Sequence, residues 1–125
     1  MLNELFLFLI LLQIKHWYID FVNQTDVEVV GKGIYGNWNG IAHSGKQAFG
    51  TFVAVLFVAG WTYVVWAAVV AILDFLAHYH IDWAKININK KYHYTPQDKQ
   101  FWVWLGADQL AHQITYIGLA RMMFG

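Results

Sequence analysis

The sequence predicts an all-α fold, an antiparallel four-helix bundle set in a membrane, and three observations predict it. The chain has 125 residues, 58% of them apolar and 18% aromatic, and only 13% are charged, against about 25% in ordinary soluble domains. A soluble domain of this size cannot bury that much apolar surface. The apolar stretches also approach the roughly 20 residues that a spanning helix needs. Finally, ionisable residues inside them recur one helical turn apart: His16 with Asp20, Asp74 with His78, His78 with Asp82, Asp108 with His112. Such i, i+4 neighbours share a helix face. The length suits a single domain, residues 1–125, and not comfortably two.

The first helix is expected over about 4–24. Its polar residues Gln13, His16, Asp20 and Gln24 fall near one face, whereas Lys15 lies off it and is expected to snorkel toward an interface. Glu4 stands where a signal peptide would carry a basic residue, and no small-residue cleavage site follows, so this helix is expected to be retained. Residues 25–39 read as a loop punctuated by Gly31, Gly33 and Gly36. Helices over about 40–59 and 61–86 follow, divided by a tight turn at Gly60 and Trp61. The alternative is one continuous helix, which at about 1.5 Å per residue would hold His43 and His78 roughly 50 Å apart. The hairpin brings them to one level and is preferred. A second polar loop, 87–95, leads to a last helix over about 96–123. Thr95 is its expected N-cap, Pro96 lies in its first turn, and Asp98 sits near the positive end of its dipole.

This order puts both long loops on one side, and the termini with the Gly60 turn on the other. Lys32, Lys46, Lys85, Lys90, Lys91 and Lys99 gather on the loop side, with Arg121 alone at the other end. The positive-inside rule then places the loops in the cytoplasm and the termini outside, as a multi-pass protein of a bacterial inner membrane. Equal numbers of basic and acidic residues leave no basic stripe, so no nucleic-acid partner is expected. The absence of cysteine excludes disulfides, thiolate metal sites and cysteine nucleophiles.

The segments KHWYIDFVNQ (15–24), the isolated His43, HYHIDWAK (78–85) and GADQLAHQ (106–113) resemble the "domain of unknown function 3307" family. These are small multi-pass proteins of bacteria and bacteriophages. The resemblance covers nearly the whole chain in the same order, and it implies the fold and a shared polar site without implying a reaction. More loosely, the chain is similar to membrane-bound metal-dependent hydrolases, an analogy from which a reaction class is borrowed.

The residues themselves point to a metal centre. Ionisable side chains in hydrocarbon turn inward and pair or bind something. Imidazole and carboxylate together suit Zn, Mn or Fe. The candidate ligands are His16, Asp20, His43, His78, Asp82, Asp108 and His112, more than one tetrahedral ion needs, so one or two divalent ions are expected. Asp82 and Asp108 are candidate bases, and Lys85 is a candidate partner for Asp82 or for a substrate phosphate, or else an interfacial snorkelling lysine. Gln24 and Gln109 read as orienting amides, His80 and His93 as surface residues, and Asp74 as either ligand or orienter. The expected chemistry is hydrolysis of a lipid-borne ester or phosphoester. Membrane lipids are the expected partners, and a homo-oligomer stays open. The alternative is a non-enzymatic accessory subunit, or an ion or proton pathway, in which the His/Asp pairs are hydrogen-bonded glue of about 1 kcal/mol or less each.

Overall fold

The structure, a computed structural model, describes residues 2–125. It holds five α-helices and, among the described residues, no strand: α1 (Leu2–Trp17), α2 (Asp26–Lys32), α3 (Trp38–Ala59), α4 (Val64–Lys91) and α5 (Lys99–Phe124). The all-helical expectation holds. α1, α3 and α4 are long and apolar enough to cross a membrane, α1 together with the turn that follows it. α5 falls outside that group, although four spanning helices are expected from the sequence. Each of the four long helices packs against two others, in the cyclic order α1, α3, α4, α5.

The chain reverses between α3 and α4, as the preferred reading has it. Gly60 takes φ +88°, a conformation that costs an L residue strain and glycine almost nothing. Its amide still donates to the Leu56 carbonyl at 2.9 Å, closing α3. A 3₁₀ turn, Trp61–Tyr63, then starts α4.

Three boundaries differ from expectation. α4 runs on to Lys91, so the connection before α5 is shorter than the predicted loop 87–95. α5 begins at Lys99, three residues late, because Thr95 and Asp98 bond each other: the Thr95 amide donates to Asp98 Oδ2 at 2.8 Å. Pro96 therefore lies in the turn before the helix. The predicted loop 25–39 contains α2, started by a capping box in which the Thr25 side chain and Glu28 each accept the other's backbone amide. Burial pushes the Glu28 carboxyl up, but the Lys46 ammonium and two donors from Thr25 outweigh it and hold the group below its ordinary value.

α2 packs on α3 and α4, and two glycines allow the close approach. A Cβ on Gly40 would stand 2.7 Å from the Gly31 carbonyl oxygen, and one on Gly31 2.9 Å from the Gly40 nitrogen. Half of the interior is apolar: Phe8, Leu12, Ala54, Val55, Ala67, Val70, Tyr116, Leu119 and Ala120 pack around the ends of α1 and α5 and beside the Gly60 turn. The other half, beneath α2, is polar.

Gly40→Ala is expected to lower the detergent-solubilised protein's unfolding temperature, because overpacking costs about 1–3 kcal/mol. Gly45→Ala, whose Cβ meets nothing within 4 Å, should leave it at or above the parental value. Equal unfolding temperatures for the two variants would show that the α2–α3 approach is not tight.

Candidate metal centre

α1 continues into a single π-helical turn, Tyr18–Val22, closed by the Asn23 amide on the Tyr18 carbonyl at 2.8 Å. Such wide turns recur where a side chain must be re-aimed. Here the turn carries Asp20, buried against α3. α3 contributes His43 and Gln47, α4 contributes His78 and Asp82, and α5 contributes Asp108 and His112, all of them buried.

The imidazoles converge. His43 Nε2 lies 2.8 Å from Asp20 Oδ1 and 3.3 Å from His78 Nε2. His78 Nε2 is 3.2 Å from Asp82 Oδ2 and 3.5 Å from Asp20 Oδ1. His112 Nε2 is 3.1 Å from Asp82 Oδ1. Two groups have their donor atoms all within 4.8 Å of one another and could hold a metal ion: His16, His78 and His112, and Asp20, His78, Asp82 and His112. Four ligands placed tetrahedrally at 2.0–2.1 Å from an ion stand about 3.3 Å from one another, close to the spacings found here. The nitrogen and oxygen donors fit a divalent ion of the borderline class.

His16 is held differently. Its Nε2 is 2.9 Å from Gln109 Oε1, and its Nδ1 is 2.8 Å from the Tyr116 hydroxyl. Gln109 turns its Nε2 to Asp108 Oδ2 at 3.0 Å, which leaves its oxygen to accept from His16. His16 Nε2 therefore carries the proton, and Nδ1 accepts from Tyr116. In this arrangement His16 has no lone pair to offer on the side facing the cluster. Asp108 stands one step out, its Oδ1 3.6 Å from His112 Nε2 and without a hydrogen-bond partner.

Two lysines reach the cluster from the α2 side. Lys32 Nζ lies 2.9 Å from Asp82 Oδ2, and Lys85 Nζ 3.4 Å from Asp108 Oδ2. The partner of Asp82 is thus Lys32, and Lys85 belongs to Asp108. Sequence reasoning treats Lys32 and Glu28 as loop charges and misses both. The signal is the Thr25-x-x-Glu28 spacing, a capping box that turns the loop into a helix and puts Lys32 one turn after Glu28.

Asp74 lies outside the cluster. Lys15, expected to snorkel outward, turns inward: its Nζ donates to Asp74 Oδ2 at 2.7 Å and to Gln47 Oε1 at 2.9 Å. An apolar surrounding offers an ammonium no water, and the buried carboxylate one turn below the centre is the stronger attraction. Thr51 Oγ1 adds a bond to Asp74 at 2.5 Å, and Gln47 Nε2 donates onward to Asp20 at 2.8 Å. His80 and His93 are exposed, as expected, and His80 bonds Tyr35 at 3.0 Å. Gln24 reaches none of the cluster atoms and keeps a buried oxygen without a partner.

Comparison with family models, curated proteins and solved structures finds no match to this chain.

Lys15→Met strands a buried Asp74 and is expected to cost about 3–5 kcal/mol in an unfolding titration. Lys15→Met/Asp74→Leu should recover most of it. A double variant as unstable as the single one would mean that Lys15 acts by packing on Tyr116, over whose ring it sits at 4.9 Å.

Proposed function

We propose that the chain is an integral membrane protein, a four-helix bundle with a buried divalent-metal centre that hydrolyses a lipid-borne ester or phosphoester. One observation carries the reading: Asp20, His78, Asp82 and His112, from three different helices, bring their donor atoms within 4.8 Å of one another in a buried, water-poor interior.

The membrane placement draws on three apolar helices and on the outward face of the fourth. Val103, Leu110, Ile114 and Ile117 on α5 are exposed, while its polar residues Asp108 and His112 point inward. Apolar outside and ionisable inside is the arrangement lipid requires. The lysines at the α2 end argue for cytoplasmic loops and a bacterial inner membrane. Membership of the "domain of unknown function 3307" family, which the motif resemblance suggests, would agree with this placement and add no reaction.

Within the site, Asp20, His78, Asp82 and His112 are the ligands we assign, with Zn, Mn or Fe as the ion. His43 orients Asp20, and the Tyr116–His16–Gln109 chain orients Asp108. A divalent ion held there supplies Lewis acidity toward water and toward an ester or phosphoester oxygen. Asp108 Oδ1, free of any hydrogen bond, is placed to take a proton from the attacking water and return it to the leaving alcohol. Lys85 beside it stabilises negative charge as it develops.

A structural role is the rival reading, and the Lys32–Asp82 contact favours it, since an ammonium already neutralises one of the assigned ligands. A pathway across the membrane finds less support. The polar chain ends at Thr51 and Asp74, and the Phe8, Leu12, Val55 and Val70 layer closes the other half.

Elemental analysis of the detergent-purified protein is expected to give about one equivalent of a transition metal, or two where carboxylates bridge a pair. His78→Ala/His112→Ala, checked for folding by circular dichroism, should lose it. A folded parent that stays metal-free after incubation with Zn, Mn and Fe would end the hydrolase reading.

A further inference from the structure

Two cavities meet at Lys85. The first, of about 150 Å³, lies under α2 and is lined by Gln24, Lys32, Lys85, Asn89, Phe101 and Leu105. The second, of about 180 Å³, opens sideways along the seam between α4 and α5. Its walls are two matching helical rows, Ile81, Ala84, Lys85 and Ile88 facing Trp104, Ala107, Asp108 and Ala111. Each row follows the i, i+3, i+4, i+7 spacing of one helix face. Alanine at the facing positions keeps the seam open where larger side chains would fill it.

The first cavity has the chemistry of an anion subsite. Two ammonium groups reach it, and the carboxamide oxygens of Gln24 and Asn89 are buried there without a partner. A half-turn of either carboxamide presents two N–H donors in place of the oxygen. Asp108 Oδ1, buried and equally unpartnered, belongs to a residue that lines the lateral cavity beside Lys85. These are polar demands that the chain's own groups leave unmet.

The charges fix what is taken there. The ammonium groups within reach of Asp20, Asp82 and Asp108 are Lys32 and Lys85, since Lys15 is used by Asp74 and Lys46 by Glu28; their other partners are the imidazoles of His43, His78 and His112. With those imidazoles neutral, three negative charges against two positive repel an anion. A divalent ion on the ligands reverses the sign to one net positive charge and releases Lys32 from competing for Asp82. The lateral opening decides the source: it is apolar, faces outward between two long helices, and ends at the same lysine.

We propose that this chain binds a phosphate-headed membrane lipid, with the phosphate between Lys32 and Lys85 and an acyl chain leaving through the α4–α5 seam. The inference rests on the metal reading, and it names the substrate class for that centre.

The test uses the full chain, loaded with Zn in detergent, with its metal content measured in every sample. It is titrated with phosphatidic acid, phosphatidylcholine and inorganic phosphate, and binding is followed by native mass spectrometry and Trp fluorescence. Phosphatidic acid should bind at least about tenfold more tightly than phosphatidylcholine, as expected for charge-assisted contacts. Lys85→Gln should lose about that factor for phosphatidic acid and for phosphate, with the metal retained. Ala107→Leu, which fills the seam, should weaken phosphatidic acid and leave inorganic phosphate unchanged. A metal-loaded parent indifferent to the head group overturns this inference and leaves the metal centre standing. Phosphate binding as tight as lipid binding, with Ala107→Leu silent, assigns the subsite to a soluble phosphate and overturns the lipid. A metal-free parent overturns both, because the inference takes the site's positive charge from the ion.

Discussion

The carboxylate of Asp82 is the junction on which the polar half of the molecule depends. It is almost completely buried, and an isolated ion in such surroundings is too costly to persist. It is met by His112 at 3.1 Å from α5, by His78 at 3.2 Å from its own helix, and by Lys32 at 2.9 Å from α2. Three elements are thereby committed to one spot. α2 has only two turns, too short to persist alone. Its position follows from the backbone contact of Gly31 with Gly40 and from the two charges it delivers, Lys32 to Asp82 and Glu28 to Lys46.

Polar and apolar halves divide the interior along the helix axes. Near the Gly60 turn the helices pack through ordinary apolar contacts, which specify little beyond proximity. Under α2 they are joined by hydrogen bonds and ion pairs whose geometry admits few alternatives. A register slip of one residue on α5 would turn Asp108 and His112 away from α4. The polar layer thus fixes the register, and the apolar layer supplies contact area and seals the far side.

Much of this was legible in the residues. The all-helical class follows from composition and from apolar stretches without proline. The i, i+4 pairs His78/Asp82 and Asp108/His112 mark inward faces because nothing else would keep charge inside an apolar helix. The hairpin at Gly60 follows from glycine's tolerance of positive φ. What escaped were choices that depend on partners. Lys15 has a stem long enough to go either way, and only the position of Asp74 across the interior, 2.7 Å away, turns it inward. Lys32 looks like one more loop lysine until the Thr25 capping box makes that loop a helix. The late start of α5 turns on which of Thr95 and Asp98 captures the other's amide. Lys85 is near Asp82 in sequence and long enough to snorkel to an interface, yet it leans across to Asp108 on α5.

The charge count then separates two kinds of buried ion in one molecule. Lys15 with Asp74, held further by Thr51 and Gln47, is a balanced pair: equal charges and short distances, with Asp74 Oδ2 fully bonded and Oδ1 buried without a partner. Its charges balance without a ligand, as in an architectural ion pair. The cluster above it is not balanced. Asp20, Asp82 and Asp108 outnumber Lys32 and Lys85 by one, and four imidazoles crowd the same space with His43 Nδ1, His78 Nδ1 and Asp108 Oδ1 unbonded. An interior of low dielectric magnifies that imbalance. It is relieved either by a proton on one imidazole or by a cation among the ligands. The proton would neutralise the charge without calling for donors from three helices to converge. A divalent ion neutralises the charge, accounts for the convergence of donors from three helices, and leaves one positive charge over for a substrate.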